Sequence, residues 1–415
     1  MIWRGGESAV FLLYCAMFGM LSFSILNESD GRFGEYLTLY FVSLVVAYIG
    51  FRFLFSKYRA SSASQRQQWL QGSNRAADIL LAVSCAIIVA HFIYLGHIPL
   101  FTASMSNDYF GVMRVRQAIF FDAPAVFRYL PNFVLKSFLP FLTLYFYVQG
   151  ARWRFVFTML LGLLYGVALL TKIFVVIPLL PLILYLVLRG RFVKAIGCTA
   201  LIAAFLAILV FVQNPQVRPT FWTSPDQVTM SGTPLYTESA PVPAKARTAS
   251  YPAFQFVETI YIRVFAIPGQ VITAWFNDIP AKVPFAHGCG YRWLAAIRGC
   301  EFQFFPQLVH DIENPILVAQ GVHGTMTAAS FMEDYANFGG KGMVFGAVMM
   351  AFVLALVASV FGREWRWALV MNCIPIGLLI ELPLTTVLLT GGWALTILLF
   401  LVFRHSLNAV APQNK

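Results

Sequence analysis

The sequence predicts an all-α polytopic membrane protein, and three observations predict it. The 415 residues are 59% hydrophobic and 11% charged, where a soluble domain carries roughly 25% charged residues. Apolar runs long enough to cross a bilayer recur along the chain. Lys and Arg gather in alternate short connections between those runs, which is the pattern that fixes orientation.

The elements follow in order. The N-terminus, MIWRGGESAVFLLYCAMFGMLSF, has one Arg and then an apolar stretch without a small-residue cleavage site, so it reads as a retained first span. Apolar runs near 9–26, 36–55, 79–98, 132–150, 155–170, 173–188, 195–213, 342–361, 367–388 and 392–404 predict about ten transmembrane helices. The last falls short of the usual span length of about 20 residues. With the N-terminus inside, cytoplasmic connections hold Lys57, Arg59, Arg66 and Arg75, then Arg152 and Arg154, then Arg189, Arg191 and Lys194, then Arg363 and Arg366, and finally Arg404. Both termini are then cytoplasmic. Most of the net charge of +11 is this topological signal. The basic residues are dispersed between spans, which argues against nucleic acid as a partner.

The chain therefore divides into seven spans over 1–213 with an external loop at 99–131, a large periplasmic segment at 214–341, and three spans over 342–415. Within the large segment, seven prolines over 214–252 rule out regular structure and predict a meandering lid. Residues 254–277 look amphipathic, with Gln255, Thr259 and Arg263 on one stripe. They predict an interfacial helix that Pro268 kinks or splits.

Cys15, Cys85, Cys198 and Cys373 fall in expected spans, where buried thiols are ordinary. Cys289 and Cys300 flank GYRWLAAIRG outside. In an oxidising compartment they are candidates for a disulfide, the alternative being two unpaired thiols. Their spacing matches no zinc finger.

Positive charge on the external side runs against the insertion bias. Lys172 stands at the tip of the hairpin of spans five and six, and the loop at 99–131 carries Arg114, Arg116 and Arg128. A lysine at the bilayer centre costs about 2.5–3.5 kcal/mol, and less at a hairpin tip. Lys172 either snorkels to lipid phosphates or is a ligand for a phosphate group arriving from the lipid phase.

Here the residues resemble a family. The segment TKIFVVIPLLPLIL, with Lys172 at the start of an apolar helix, is similar to the (S/T)K segment of oligosaccharide repeat-unit polymerases, the Wzy-type O-antigen polymerases. HGTMTAASFMEDYANFGGKG, residues 323–342, resembles the Ser/Thr-rich, acidic–aromatic, Gly-ended stretch those proteins carry before a late span. The layout of spans and two unequal external loops is also similar. One departure matters: some members carry Arg, ten residues, then Gly in external loops, and here that spacing occurs only at Arg366–Gly377 on the cytoplasmic side.

The resemblance implies a GT-C-like, inverting, metal-independent glycosyltransferase of the bacterial inner membrane without a cofactor. It would join undecaprenyl-diphosphate-linked oligosaccharide repeat units, with membrane lipid and a chain-length regulator protein as further partners. Such chemistry needs cations for the departing diphosphate, a base for the acceptor hydroxyl and a polar, aromatic groove for the glycans. The diphosphate candidates are Lys172, Arg263 and one of Arg114 or Arg116. The last two lie about 200° apart on a helix and could share a phosphate only if VMRVRQ is extended or wraps the ligand. The leading bases are Glu333 and His323, with Asp334, His310, Asp311 and Glu313 behind them. Glu333 and Asp334 could instead simply solvate a helix end. Arg292 and Tyr335 are glycan-binding candidates, along with Trp275, Trp293 and Phe338; Arg292 and Arg298 could equally be solvated.

Glu381 lies inside span nine. It reads as a proton relay, or as a carboxyl that bonds a Pro-freed backbone group or pairs with a neighbouring helix's Arg. Three rival functions remain. An O-antigen ligase would differ in acceptor. A lipid-oligosaccharide flippase would carry cations through its spans. A membrane acyltransferase would place a His inside the bilayer, and only His91 and His97 are near one.

Overall fold

The computed structural model describes residues 8–62, 73–106, 109–120, 123–213, 262, 266–319, 321, 324–362 and 364–410. Regular structure among them is entirely helical. Six helices are long and apolar enough to cross a membrane: Ala9–Glu28, Gly34–Phe55, Asn74–Leu95, Phe192–Gln213, Ser330–Phe361 and Leu384–Leu407. The chain is therefore a multi-pass membrane protein of the all-α class.

The first two helices form a hairpin. Asp30 and Gly31 turn the chain with positive φ, and aromatic side chains at helical spacing then meet across the pair. Phe11 stacks on Tyr48 at 3.8 Å, and the Tyr14 and Tyr40 hydroxyls share a hydrogen bond of 2.7 Å. The element Ser330–Phe361, whose long arm follows Gly339, lies along Gly34–Ser62. Gly340 faces Tyr36 near one rim, and Ser359 accepts from Arg52 near the other. Ala347, Ala351 and Ala355 are fully buried at every fourth position, and such small residues let membrane helices approach closely.

Contacts sort the connections onto two rims. On the first, Phe33 stacks on Phe276, Tyr94 stacks on Phe127, the Gln213 amide donates to the Leu170 carbonyl, and Ser137 Oγ donates to the Gly392 carbonyl. On the second, Arg154 pairs with Asp78 at 3.0 Å, Arg404 Nε donates to Glu364 Oε1 at 2.8 Å, and the Gln149 amide donates to the Ser406 carbonyl.

Several expected spans take a different form. The run expected at 132–150 is interrupted. Pro131 lies inside Ala125–Phe133, a π-turn follows at Val134–Phe138, and Leu139–Val148 has Pro140 in its first turn. A proline ring displaces the carbonyl four residues back, and a π-turn absorbs the mismatch. The expected hairpin of 155–170 and 173–188 is present as Arg152–Ala168, Lys172–Val176 and Leu180–Leu188. Its two arms touch so closely that a Cβ on Gly162 would sit 2.9 Å from Pro178, and one on Gly166 would fall on the Phe174 carbonyl. The expected span 367–388 stops at Leu378 and restarts at Leu384 after Pro383. The expected short last span extends over Trp393–Val410. Pro268, expected to kink or split a helix over 254–277, sits in the first turn of Ile267–Asp278, where its missing N–H has no partner to lose; residues 254–261 and 263–265 lie outside the described residues. That helix buries Trp275 and Phe276 and crosses the first helix where Gly269 meets Ser24. Its described part is thus packed into the bundle.

Candidate functional site

The helix that begins at Ser330 is two helices joined at Gly339, whose φ of 62° and ψ of −146° are non-helical and open only to glycine at low cost. Residues 330–338 form a short arm, and the chain then reverses into the long arm. Both ends of the short arm have found partners, as buried helix ends must. The Ser330 N–H donates to the Leu379 carbonyl at 2.9 Å. The Ala336 and Asn337 carbonyls accept from the Ala286 and His287 N–H groups at 3.1 and 2.9 Å.

The short arm enters the bundle. Phe331 packs on Phe18 and Tyr40 at 5.8 and 5.0 Å. Phe18 lies ten residues short of the end of its helix, a rise of about 15 Å. Residues 324–338 therefore re-enter the membrane-embedded body. Non-helical backbone is tolerated at such depth where protein covers it.

This geometry brings Glu333 and Asp334 to the junction of the two arms. A Cβ on Gly342 would fall on the Asp334 carbonyl oxygen, and one on Gly346 would fall on its carboxylate. The two glycines are what let the acid lie flat against the returning helix. The Tyr291 hydroxyl donates to Asp334 Oδ1. Burial first, and the Asp334 carboxylate second, push the Tyr291 hydroxyl above its usual range, so it stays a proton donor to the acid.

Asn337 holds the loop that delivers Tyr291. It is fully buried. Its Oδ1 accepts from the Gly288 and Gly290 N–H groups at 3.0 and 2.9 Å, and its Nδ2 donates to the Glu333 carbonyl at 2.8 Å. A Cβ on Gly290 would lie 2.6 Å from the Asn337 amide. Cys289 and Cys300 are joined in a disulfide that closes this loop, with Cα atoms 6.0 Å apart.

Around the site lie two smaller polar groups. Lys282 bridges Asp278 at 2.8 Å and Glu313 at 3.5 Å; the Asp278 hydrogen bond is the main cause of its raised pKa. His310 Nδ1 lies 3.2 Å from Asp311 Oδ1 and 3.3 Å from the Gly324 nitrogen. One tautomer serves the carboxylate and the other serves the backbone N–H.

The sequence-derived candidates fare differently. Asp334 is bonded by Tyr291 against the returning helix, with Glu333 its neighbour on the short arm. Lys172 opens Lys172–Val176 and is half-buried. Arg114 and Arg116 lie on the helix Tyr109–Phe120, the first exposed and the second half-buried. That segment is neither extended nor wrapped, so the two guanidinium groups point apart and do not share one phosphate. Arg292 is exposed and stacks over Phe302 at 4.8 Å. Arg298 donates to the His287 carbonyl. Tyr335 is corrected from glycan platform to core: it is 4% exposed, its hydroxyl donates to the Ile279 carbonyl, and Tyr36, Phe276 and Phe285 enclose its ring. Trp275 is likewise core, its indole N–H donating to the Met326 carbonyl. Trp293 is 60% exposed. Arg263 and His323 lie outside the described residues.

Two residues escaped sequence reasoning. Tyr291 sits among the glycines and basic residues of the Cys289–Cys300 loop, with no periodicity to single it out. Lys136 lies within an expected span, half-buried, on the π-turn; the signal was a lone cation between Pro131 and Pro140. Comparison with protein families, with curated proteins and with solved structures finds no match to this chain.

Proposed function

We propose that this protein is a membrane-embedded glycosyltransferase that joins undecaprenyl-diphosphate-linked oligosaccharide repeat units on the outer face of a bacterial inner membrane. The observation that carries this reading is the re-entrant arm, which lays Glu333 and Asp334 together inside the bundle, with Tyr291 bonded to the second. Paired carboxylates at membrane depth are costly and point to function. One of them can take the proton from an acceptor hydroxyl as the sugar–phosphate bond breaks. Lys172 on the first rim supplies positive charge for the departing diphosphate.

The arrangement of rims supports ten passes with both termini cytoplasmic, since basic clusters at 152–154, 189–194 and 363–366 then share one side. The disulfide supports an oxidising compartment for the opposite side. Purified protein, given a lipid-diphosphate repeat unit and neither metal nor core lipid, should form a glycan ladder. A product that appears only when core lipid is added would mean ligase instead. The interrupted helices at 134–138 and 379–383 favour a second reading, since transporters use such breaks near their binding sites. Repeat-unit lipid crossing the bilayer without any ladder would mean flippase.

A further inference from the structure

The second rim carries cations of two kinds. Arg154 pairs with Asp78 at 3.0 Å, and Arg404 Nε donates to Glu364 at 2.8 Å. Arg189, Arg191 and Lys194 pair with no carboxylate among the described residues. All three stand at one turn, where Leu180–Leu188 ends and Phe192–Gln213 begins. Gly190 turns the chain there with a φ of 69°, a conformation glycine takes without strain. The Arg191 N–H then donates to the Leu186 carbonyl at 2.9 Å.

Aromatic side chains take the place of the missing acids. Arg191 Nη1 donates to the Tyr147 hydroxyl at 3.1 Å, and Lys194 Nζ lies 5.9 Å from the centre of the same ring. The Arg189 guanidinium lies 5.5 Å from the centre of the Tyr185 ring. The two tyrosine rings meet edge to face, 6.3 Å apart. Trp367 stacks on Tyr185 at 5.5 Å and Phe155 meets Tyr147 at 5.4 Å. Side chains from two further helices thus hold the tyrosines in place.

Stability is a poor reason for such a cluster. Three like charges gathered round two touching rings repel one another, and a cation over an exposed ring gains less than one bonded to an anion. The Arg189 Nε–H is buried without an acceptor among the described residues. Arg191 and Lys194 are exposed, and their N–H groups not spent on Tyr147 are free for an outside acceptor. Phe192, Val193 and Ile196, on the helix that carries Lys194, are 59%, 84% and 68% exposed. They give an apolar flank to acyl chains, which a free anion does not use. A zwitterionic lipid would bring its own cation into the cluster.

We propose that Arg189, Arg191 and Lys194, held on Tyr147 and Tyr185, bind the phosphate headgroup of an anionic phospholipid in the leaflet at the second rim. Cations beside membrane helices attract such headgroups. The packed rings make this one site instead of a diffuse field, because they fix where the three charges stand. The site goes beyond the proposed glycosyltransferase reading and does not rest on it.

The test is binding of phosphatidylglycerol to the full-length protein in detergent, measured for wild type and variants. Arg189→Gln, Arg191→Gln and Lys194→Gln combined should weaken binding by about tenfold or more. Arg191→Gln or Lys194→Gln alone, changes at exposed side chains that leave the fold intact, should each weaken it by about threefold or more. A charge-matched control combines Arg75→Gln, Arg152→Gln and Arg366→Gln, three exposed cations of the same rim. It should leave binding within about twofold of wild type. An equal loss in the control would reduce the site to the general positive field of that rim and overturn the assignment. So would wild-type affinity in both single variants, equal binding of phosphatidylcholine, or competition by inorganic phosphate at the lipid's own concentration.

Discussion

In the proposed reaction, three side chains carry the chemistry at the smallest scale. Glu333 and Asp334 are neighbours on the short arm, and Tyr291 reaches Asp334 from a loop 43 residues earlier. Glu333→Gln and Asp334→Asn keep the shape and remove the proposed base. Whichever carboxylate takes the acceptor proton should lose about 10²–10⁴-fold in ladder formation, measured at equal protein in the reconstituted assay, while binding of the lipid-linked donor persists. Equal rates in both variants would remove the acid pair from the mechanism. Asn337→Ala tests the scaffold instead. It strips the acceptor from two buried N–H groups, at about 1–3 kcal/mol each, so the thermal midpoint in detergent should fall. The acids were legible in the sequence, because carboxylates next to a span are conspicuous. Tyr335 misled because its neighbours in space, Tyr36, Phe276 and Phe285, are far from it along the chain. An aromatic in a polar-looking stretch reads the same whether it faces sugar or core.

Apolar length told the helices from the connections but could not say where a helix breaks. Hydropathy is blind to a glycine at positive φ, so Gly339 hid the re-entrant arm inside what read as an external stretch running into a span. Prolines were better signals: Pro131, Pro140 and Pro383 all mark interruptions, and Pro268 marks a start. Gly339→Ala forces an L-residue into a conformation that costs about 1–3 kcal/mol and presses its methyl toward the Phe285 ring at 3.2 Å. It should lower the thermal midpoint and activity together. Gly166→Val should separate the arms of the Arg152–Leu188 hairpin, an overpacking cost of about 1–3 kcal/mol. Gly197→Ala meets nothing within 4 Å and should be neutral or slightly stabilising; tolerance of the Gly166 change to the same degree would contradict the close approach of those arms.

At the scale of the whole molecule, charge and hydropathy carried the organisation. The basic clusters that sort the loops by sequence coincide with the second rim, where Arg154, Arg191 and Arg404 find Asp78, Tyr147 and Glu364. Reporter fusions placed after residues 150, 190 and 363 should therefore report cytoplasm, and fusions after 97, 171 and 390 the opposite side. A cytoplasmic signal at 171 would remove Lys172 from the face where the lipid donor is proposed to bind. The meeting of distant breaks was not legible, since it depends on which helices are neighbours, and no single-chain periodicity encodes that.

The bridge between Cys289 and Cys300 brackets Tyr291, the residue that touches Asp334. A newly inserted chain whose thiols have not yet been oxidised would hold that tyrosine on an untethered strand. Under the proposed function, maturation of the polypeptide would then precede competence, and freshly made molecules would stay silent until that loop had met an oxidising compartment.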